Sequence, residues 1–265
     1  MSDILLSLLL GLIQGLTEFL PVSSSAHLIL PGLIFSSNDL GLSFDIAVHA
    51  GTLMAVIYFF RSELALMTKS VFINESINDK YKQLSFNLII ATLPIIFIGF
   101  ILADLLEQRV FSEKFTIAVS NLLFAGVLLI AFMKRKANKN LFEITIFGAL
   151  LIGLFQCFAL IPGASRSGTA ITAALLIGMN LKDASKFSFM LSIPTILGSL
   201  VLLIIKMQAL EINFNLIHLT IGFFVSMIFA FFTIKLFLDF VERIGMIPFV
   251  IYRIFLGIFL LLLLL

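Results

Sequence analysis

The sequence predicts an all-α polytopic membrane protein, built as an inverted repeat of one re-entrant helical hairpin plus three transmembrane helices, with six full spans in total. Three observations predict it. Of 265 residues, 61% are hydrophobic and 12% charged, and the mean hydropathy is +1.18, far too apolar for a soluble domain of this length. The longer apolar runs are continuous for 17 residues or more, whereas a membrane β-barrel needs segments of about ten residues alternating apolar and polar. Finally, two apolar pieces are too short to cross a bilayer, and each follows a proline and a serine-rich turn.

Apolar stretches fall at 4–20, 26–36, 44–60, 86–103, 115–133, 141–161, 169–179, 187–205, 216–238 and 247–265. At 1.5 Å per residue the pieces 26–36 and 169–179 reach only about 16 Å, roughly half of a ~30 Å hydrocarbon core. We therefore pair 4–20 with 26–36, and 141–161 with 169–179, as re-entrant hairpins, leaving six spans. The chain is one membrane domain, 1–265, of two repeats at 1–136 and 140–265. Gly11 and Gln14 match Gly153 and Gln156; Pro21 and Ser24 match Pro162 and Ser165 with one residue deleted; Phe44 and Thr52 match Phe187 and Thr195. Three spans per half force the second half to be inverted, a plan whose site lies near the midplane where the broken helices meet.

Charge orients this plan. Arg61, Lys69, Lys80, Lys82, Lys134, Arg135, Lys136, Lys139, Lys182, Lys186, Lys235 and Arg243 fall on one face, against Arg109, Lys114 and Lys206 on the other. The basic face is cytoplasmic by the positive-inside rule, which places both termini outside. The basic connector at 134–139 is such a signal. A start with no basic n-region and no small-residue cleavage site predicts no cleaved signal peptide. The net charge of +2 forms no basic stripe for nucleic acid, and the single Cys157 rules out an intrachain disulfide. Thirty Phe without a Trp are read as packing residues.

The chemistry concentrates at Gln14–His27 and Gln156–Gly168. Gln14 and Glu18 lie four apart, on one helix face. An ionised Glu at bilayer depth costs about 2.5–3.5 kcal/mol unless paired or wetted, and this pair suits a hard divalent cation, Mg²⁺ or Ca²⁺, shared with phosphate oxygens. A structural, hydrogen-bonded Glu18 is the plainer alternative. Pro21 ends the first limb, and Ser23, Ser24 and Ser25 cap the next, leaving backbone N–H groups at a helix N-terminus for an anion. His27 lies one turn on, where an imidazole serves as nucleophile or general acid. The second stretch sets Arg166 between Ser165 and Ser167, flanked by Gly163 and Gly168. Arg presents a planar fork of donors to phosphate, and its anion is Glu18 or, preferentially, a substrate phosphate. Asp45, His49 and Thr52 share one helix face and are candidates to orient His27 or Arg166, with simple interhelical hydrogen bonding as the equal alternative. Arg253, in the last span, either snorkels or pairs with Glu242 and has no assigned role. His218 is interfacial.

With QGLTEFLPVSSSAH from Gln14, FDIAVHAGT from Phe44, PGASRSG from Pro162 and IPFVIYR from Ile247, the chain resembles, over nearly its whole length, the undecaprenyl-diphosphatase family, also called bacitracin-resistance proteins. The resemblance implies a hydrolase of the bacterial cytoplasmic (inner) membrane. Such an enzyme removes the terminal phosphate of undecaprenyl diphosphate on the outer side, recycles the lipid carrier for peptidoglycan synthesis and confers bacitracin resistance. Carried over residue by residue, Glu18 and position 14 bear on metal and activity, Ser24 and His27 on the reaction, and Ser165 and Arg166 on the diphosphate. Gln14 stands where many members have Glu, which removes one negative charge from that site. Serine, histidine and water remain open as nucleophile, and a homodimer is left open as the oligomeric form. A different class of reading is a transporter for a phosphate-bearing lipid, which would need the anion site but neither His27 nor a hydroxyl.

Overall fold

The computed structural model describes residues 2–37, 39–72, 79–102, 114–207 and 215–264. Its helices are α1 (Asp3–Thr17), α2 (Ser24–Leu28), α3 (Leu30–Phe35), α4 (Leu42–Phe59), α5 (Arg61–Phe72), α6 (Asp79–Ile101), α7 (Lys114–Lys134), α8 (Ile146–Gln156), α9 (Arg166–Leu176), α10 (Leu181–Met207), α11 (Leu216–Ile244) and α12 (Ile247–Leu262). Among the described residues, α4, α6, α7, α10 and α11 are long and apolar enough to cross a membrane. The sixth expected span is shorter. The 16-residue α12 reaches about 24 Å, less than the ~30 Å hydrocarbon thickness. Arg109 of the charge pattern lies outside the described residues.

Both expected interruptions are present, and local chemistry explains them. α1 runs from an N-cap at Ser2, whose side chain accepts from Leu5 N, to Thr17. The chain then turns through Glu18–Val22 and restarts at Ser24, because Pro21 lacks the N–H that a continuing helix requires. In the second half α8 tightens into a short 3₁₀ turn at Cys157–Leu160 before Pro162, and α9 begins at Arg166. The N-caps of the two restarts are Ser23 and Ser165, and they share an uncommon conformation, with φ 73° and 71°. Each serine Oγ accepts the N–H three residues on, and each sits within 3.1–3.2 Å of the next-but-one serine, Ser25 or Ser167.

This match corrects the alignment of the two breaks. Ser23 corresponds to Ser165 and Ser24 to Arg166, at the same spacing that relates Gly11 to Gly153 and Gln14 to Gln156, so no residue is deleted.

Long helices hold the two breaks from either side. α4 packs on α11 and α10, α1 on α11, α8 on α6, and α7 on α12. Close approach depends on small residues, as expected where lipid leaves packing and hydrogen bonds as the association forces. A Cβ at Gly15 would lie 2.7 Å from Ser226 O, and one at Gly51 would overlap Phe223 and Ser226. Ser226 Oγ donates to Val48 O at 2.9 Å, fastening α11 to α4. Within this packing α9 is buried from Ser167 to Leu175, while many Phe and Leu side chains of α6, α11 and α12 face outward. That distribution suits lipid outside and protein inside. The chain is a multi-pass membrane protein.

Candidate active site

Glu18, the first residue beyond α1, is the hub. Its Oε1 accepts from Arg166 Nη2 at 2.9 Å, and its Oε2 accepts from Gln14 Nε2 at 2.9 Å and from Ser24 Oγ at 3.0 Å. The side chains of Glu18 and Arg166 are only 7% and 13% exposed, so the pair is largely withdrawn from water, and removing either partner would strand a charge. Ser24 and Arg166 are the first residues of α2 and α9. A single carboxylate thus ties together the start of both restarted helices. Of the two anions expected for Arg166, Glu18 is the one the structure pairs with it.

A cavity of about 210 Å³ opens at this cluster, lined by Glu18, Ser23, Ser24, Ser25, His49, Pro162, Gly163, Ser165 and Arg166, with Thr195 and Ser199 of α10 on the far wall. Ser25 Oγ accepts from Gly163 N at 3.1 Å, and Ser167 Oγ donates to Leu20 O at 2.8 Å, so each break is stitched to the other. The two restarted helices begin on this wall, at Ser24 and Arg166. With Arg166 and five hydroxyls from Ser23, Ser24, Ser25, Thr195 and Ser199, the wall suits a polyanion such as a phosphate ester or anhydride.

His27 is not among the lining residues. Its Nδ1–H donates to Ser23 O at 2.7 Å, and its Nε2 accepts from Tyr252 Oη at 2.6 Å, with the two rings stacked at 5.5 Å. Both nitrogens are engaged, and the ring fixes the carbonyl of the strained cap Ser23. His49 does line the cavity. Its Nδ1–H donates to Asp45 O at 2.7 Å, and Thr52 Oγ1 donates to His49 O at 2.9 Å. These bonds of His49 and Thr52 run along α4.

Gln14 Oε1 is buried without a hydrogen-bond partner, as are both amide atoms of Gln156. At the position four residues after Gln156, where the first half has Glu18, the second half has Leu160. Among the described residues no three His, Cys, Asp or Glu side chains converge. Glu18 lies on the cavity wall, whereas Gln14 is fully buried behind it and does not line the cavity.

Arg253 is the functional residue that sequence reasoning missed. It neither snorkels nor pairs with Glu242. It is 0% exposed, and its guanidinium donates from Nε to Asn121 Oδ1 at 2.9 Å and from Nη2 to Gly163 O and Ala164 O at 3.0 and 3.1 Å; Nη1 reaches Pro21 O at 3.5 Å. One buried cation therefore reads the carbonyls of both breaks. Asn121 Nδ2 donates to Arg253 O at 2.8 Å, and its neighbour Ser120 Oγ donates to Pro162 O. The available signal was an arginine inside an otherwise apolar helix, which is expensive unless the interior provides acceptors.

Comparison with known proteins agrees with this geometry. The family model for bacitracin resistance protein BacA matches residues 7–259. An undecaprenyl-diphosphatase of Saccharophagus degradans is 46% identical over 258 residues, covering 96% of both chains. Proteins of the same name from Alcanivorax borkumensis and Teredinibacter turnerae are 43% and 44% identical, covering 96% and 97% of this chain and 97% and 98% of their own. A match of this extent takes in both breaks, the cavity and the helices that frame them, and the chain belongs to the bacitracin resistance protein BacA family.

Proposed function

We propose that the chain is an undecaprenyl-diphosphatase of the bacterial cytoplasmic membrane. It hydrolyses the terminal phosphate of undecaprenyl diphosphate to give undecaprenyl phosphate and inorganic phosphate, and so recycles the carrier for peptidoglycan synthesis and confers bacitracin resistance. The observation that carries the reading is the Ser24–Glu18–Arg166 cluster on the wall of one cavity, in a chain whose near full-length relatives bear that name.

In this reading the diphosphate draws Arg166 away from Glu18, and the helix N-termini and serines take up the remaining charge. The released carboxylate then accepts the Ser24 proton as Ser24 Oγ bonds to the terminal phosphorus. The bond to the bridging oxygen breaks, and undecaprenyl phosphate leaves. Water resolves the phosphoserine, and Glu18 returns the proton to Ser24 Oγ. His27 acts through Ser23, by fixing its carbonyl. A divalent cation, if bound, would be held by Glu18 with Gln14 beside it and would supply charge neutralisation.

The two halves are read as inverted repeats of one fold. Reciprocal pairing supports this, since α1 lies on α11 as α8 lies on α6. The excess of basic residues on one face supports termini on the outer side, and the family resemblance supports a cavity mouth on that side. No observation favours the transporter reading, whose anion site would leave the Ser24–Glu18 bond without a purpose.

Phosphate release from undecaprenyl diphosphate by the detergent-purified protein tests the proposal. Release that collapses in Ser24→Ala and Arg166→Ala supports it. A well-folded wild type that binds the lipid without releasing phosphate would count against it.

A further inference from the structure

The protein has two histidines beside its serine cluster, and they share one local device. Each donates Nδ1–H to the carbonyl four residues earlier, at 2.7 Å, Ser23 O for His27 and Asp45 O for His49. That bond fixes the tautomer of a neutral ring and puts its basic lone pair on Nε2. Their far ends differ. His27 Nε2 is taken by Tyr252 Oη, and His27 does not line the cavity, whereas His49 lines it with Glu18, Ser24 and Arg166.

We propose that His49 is the base that activates the hydrolytic water, a role that its position gives it and that His27, turned to Tyr252, does not share. The inference deepens the diphosphatase reading and rests on it. In the step, the water oxygen bonds to phosphorus, the phosphorus–Ser24 Oγ bond breaks, and Ser24 Oγ takes back the proton held by Glu18. The His49 Nε2 lone pair receives the proton lost by water and later passes it to solvent.

The surroundings suit this task. The charged groups near His49 are Glu18, Arg166 and, one turn back on its own helix, Asp45. The α10 wall offers Thr195 and Ser199, which are uncharged, and the α11 surface against α4 at Gly222, Phe223 and Ser226 is uncharged too. Arg61 of α5 is exposed at the far end of α4, bonded to Tyr58 O. Positioning comes from Thr52, whose hydroxyl holds the His49 carbonyl in a fully buried setting.

The test is the pH dependence of kcat for phosphate release by the full-length protein in detergent, comparing wild type, His49→Asn, His49→Ala with added imidazole, and Tyr252→Phe. General-base catalysis is worth about 10²–10⁴-fold. His49→Asn is therefore expected to lower kcat by at least about 10²-fold, with KM falling alongside it as phosphoserine accumulates, and to abolish the part of the acid-side fall that a histidine base contributes. Glu18 is common to every variant, so the difference isolates His49. Imidazole restores part of the rate to His49→Ala, and Tyr252→Phe keeps the wild-type limb. A His49→Asn enzyme with wild-type kcat, or one altered in KM alone with an unchanged limb, overturns the proposal. Rapid quench separates it from the parent reading. Phosphoserine accumulating in His49→Asn supports both; loss of the limb without phosphoserine keeps His49 as the base toward water and removes Ser24 as nucleophile. A wild type that releases no phosphate refutes the diphosphatase itself.

Discussion

Arg166 Nη2 donates to Glu18 Oε1 at 2.9 Å across 148 residues of sequence, joining the second break of the chain to the first. The bond is both a structural tie and the contact that a phosphate must displace. Arg166→Ala removes the anion fork and strands a buried carboxylate, a loss of about 3–5 kcal/mol. The expected result is a lower melting temperature in detergent and kcat/KM reduced by at least about 10²-fold. Arg166→Lys, a point charge without the fork, should regain the melting temperature more fully than the activity. Equal recovery of both would show that fork geometry does not matter.

Ser24 and Ser25 are neighbours with different tasks. Ser24 Oγ donates to Glu18, whereas Ser25 Oγ accepts from Gly163 N. Ser24→Ala is expected to abolish turnover while leaving the fold intact. Ser25→Ala should cost about 1–3 kcal/mol of stability for two lost hydrogen bonds, those with Ser23 Oγ and Gly163 N, and keep measurable turnover. Phosphate-release assays alongside thermal melts separate the two, and an active Ser24→Ala protein would rule out the serine nucleophile.

Arg253 serves Pro21 O, Gly163 O and Ala164 O from a fully buried position. Arg253→Met fills similar space but leaves those carbonyls unpaired, at about 1–3 kcal/mol for each group. We expect a large drop in melting temperature and faster proteolysis at the two breaks. Asn121→Ala, which removes one acceptor and one donor, should show a smaller drop of the same kind.

Gly163 has φ +96°, and a Cβ there would overlap Ile117 O and Ser120 Oγ. Gly163→Ala combines an unfavourable left-handed conformation with that overlap, so destabilisation well above 1 kcal/mol is expected. If Gly163→Ala instead melts like the wild type, the break must pack differently against α7.

Chelation is expected to abolish phosphate release, with Mg²⁺ or Ca²⁺ restoring it. Gln14→Glu puts a second carboxylate beside Glu18, where Gln14 Nε2 now donates to Glu18 Oε2. It should lower the half-saturating cation concentration by about tenfold, because affinity rises with ligand charge. Without cation the same variant should melt lower through carboxylate repulsion.

Much of this molecule was legible from sequence because lipid imposes simple rules. Continuous apolar runs announce spans, and short ones after Pro21 and Pro162 announce broken helices, since a proline cannot continue the ladder and half-length pieces cannot cross. Charged residues in such runs are costly enough that Glu18 and Arg166 had to matter. Sequence alone determined the membrane class, the two breaks and the residue types at the cavity. Tertiary structure decided which groups meet. It gave Arg166 to Glu18, turned His27 toward Tyr252 while leaving His49 in the cavity wall, and set Arg253 between the two breaks. It also made the cavity unequal, with an acid from the first half and an arginine from the second, because Leu160 replaces the carboxylate and Ser24 the guanidinium at matching positions. These outcomes escape local pattern for one physical reason: a hydrogen bond is set by distance and direction in space, and residues 90 to 232 apart in the chain become neighbours only once the helices pack.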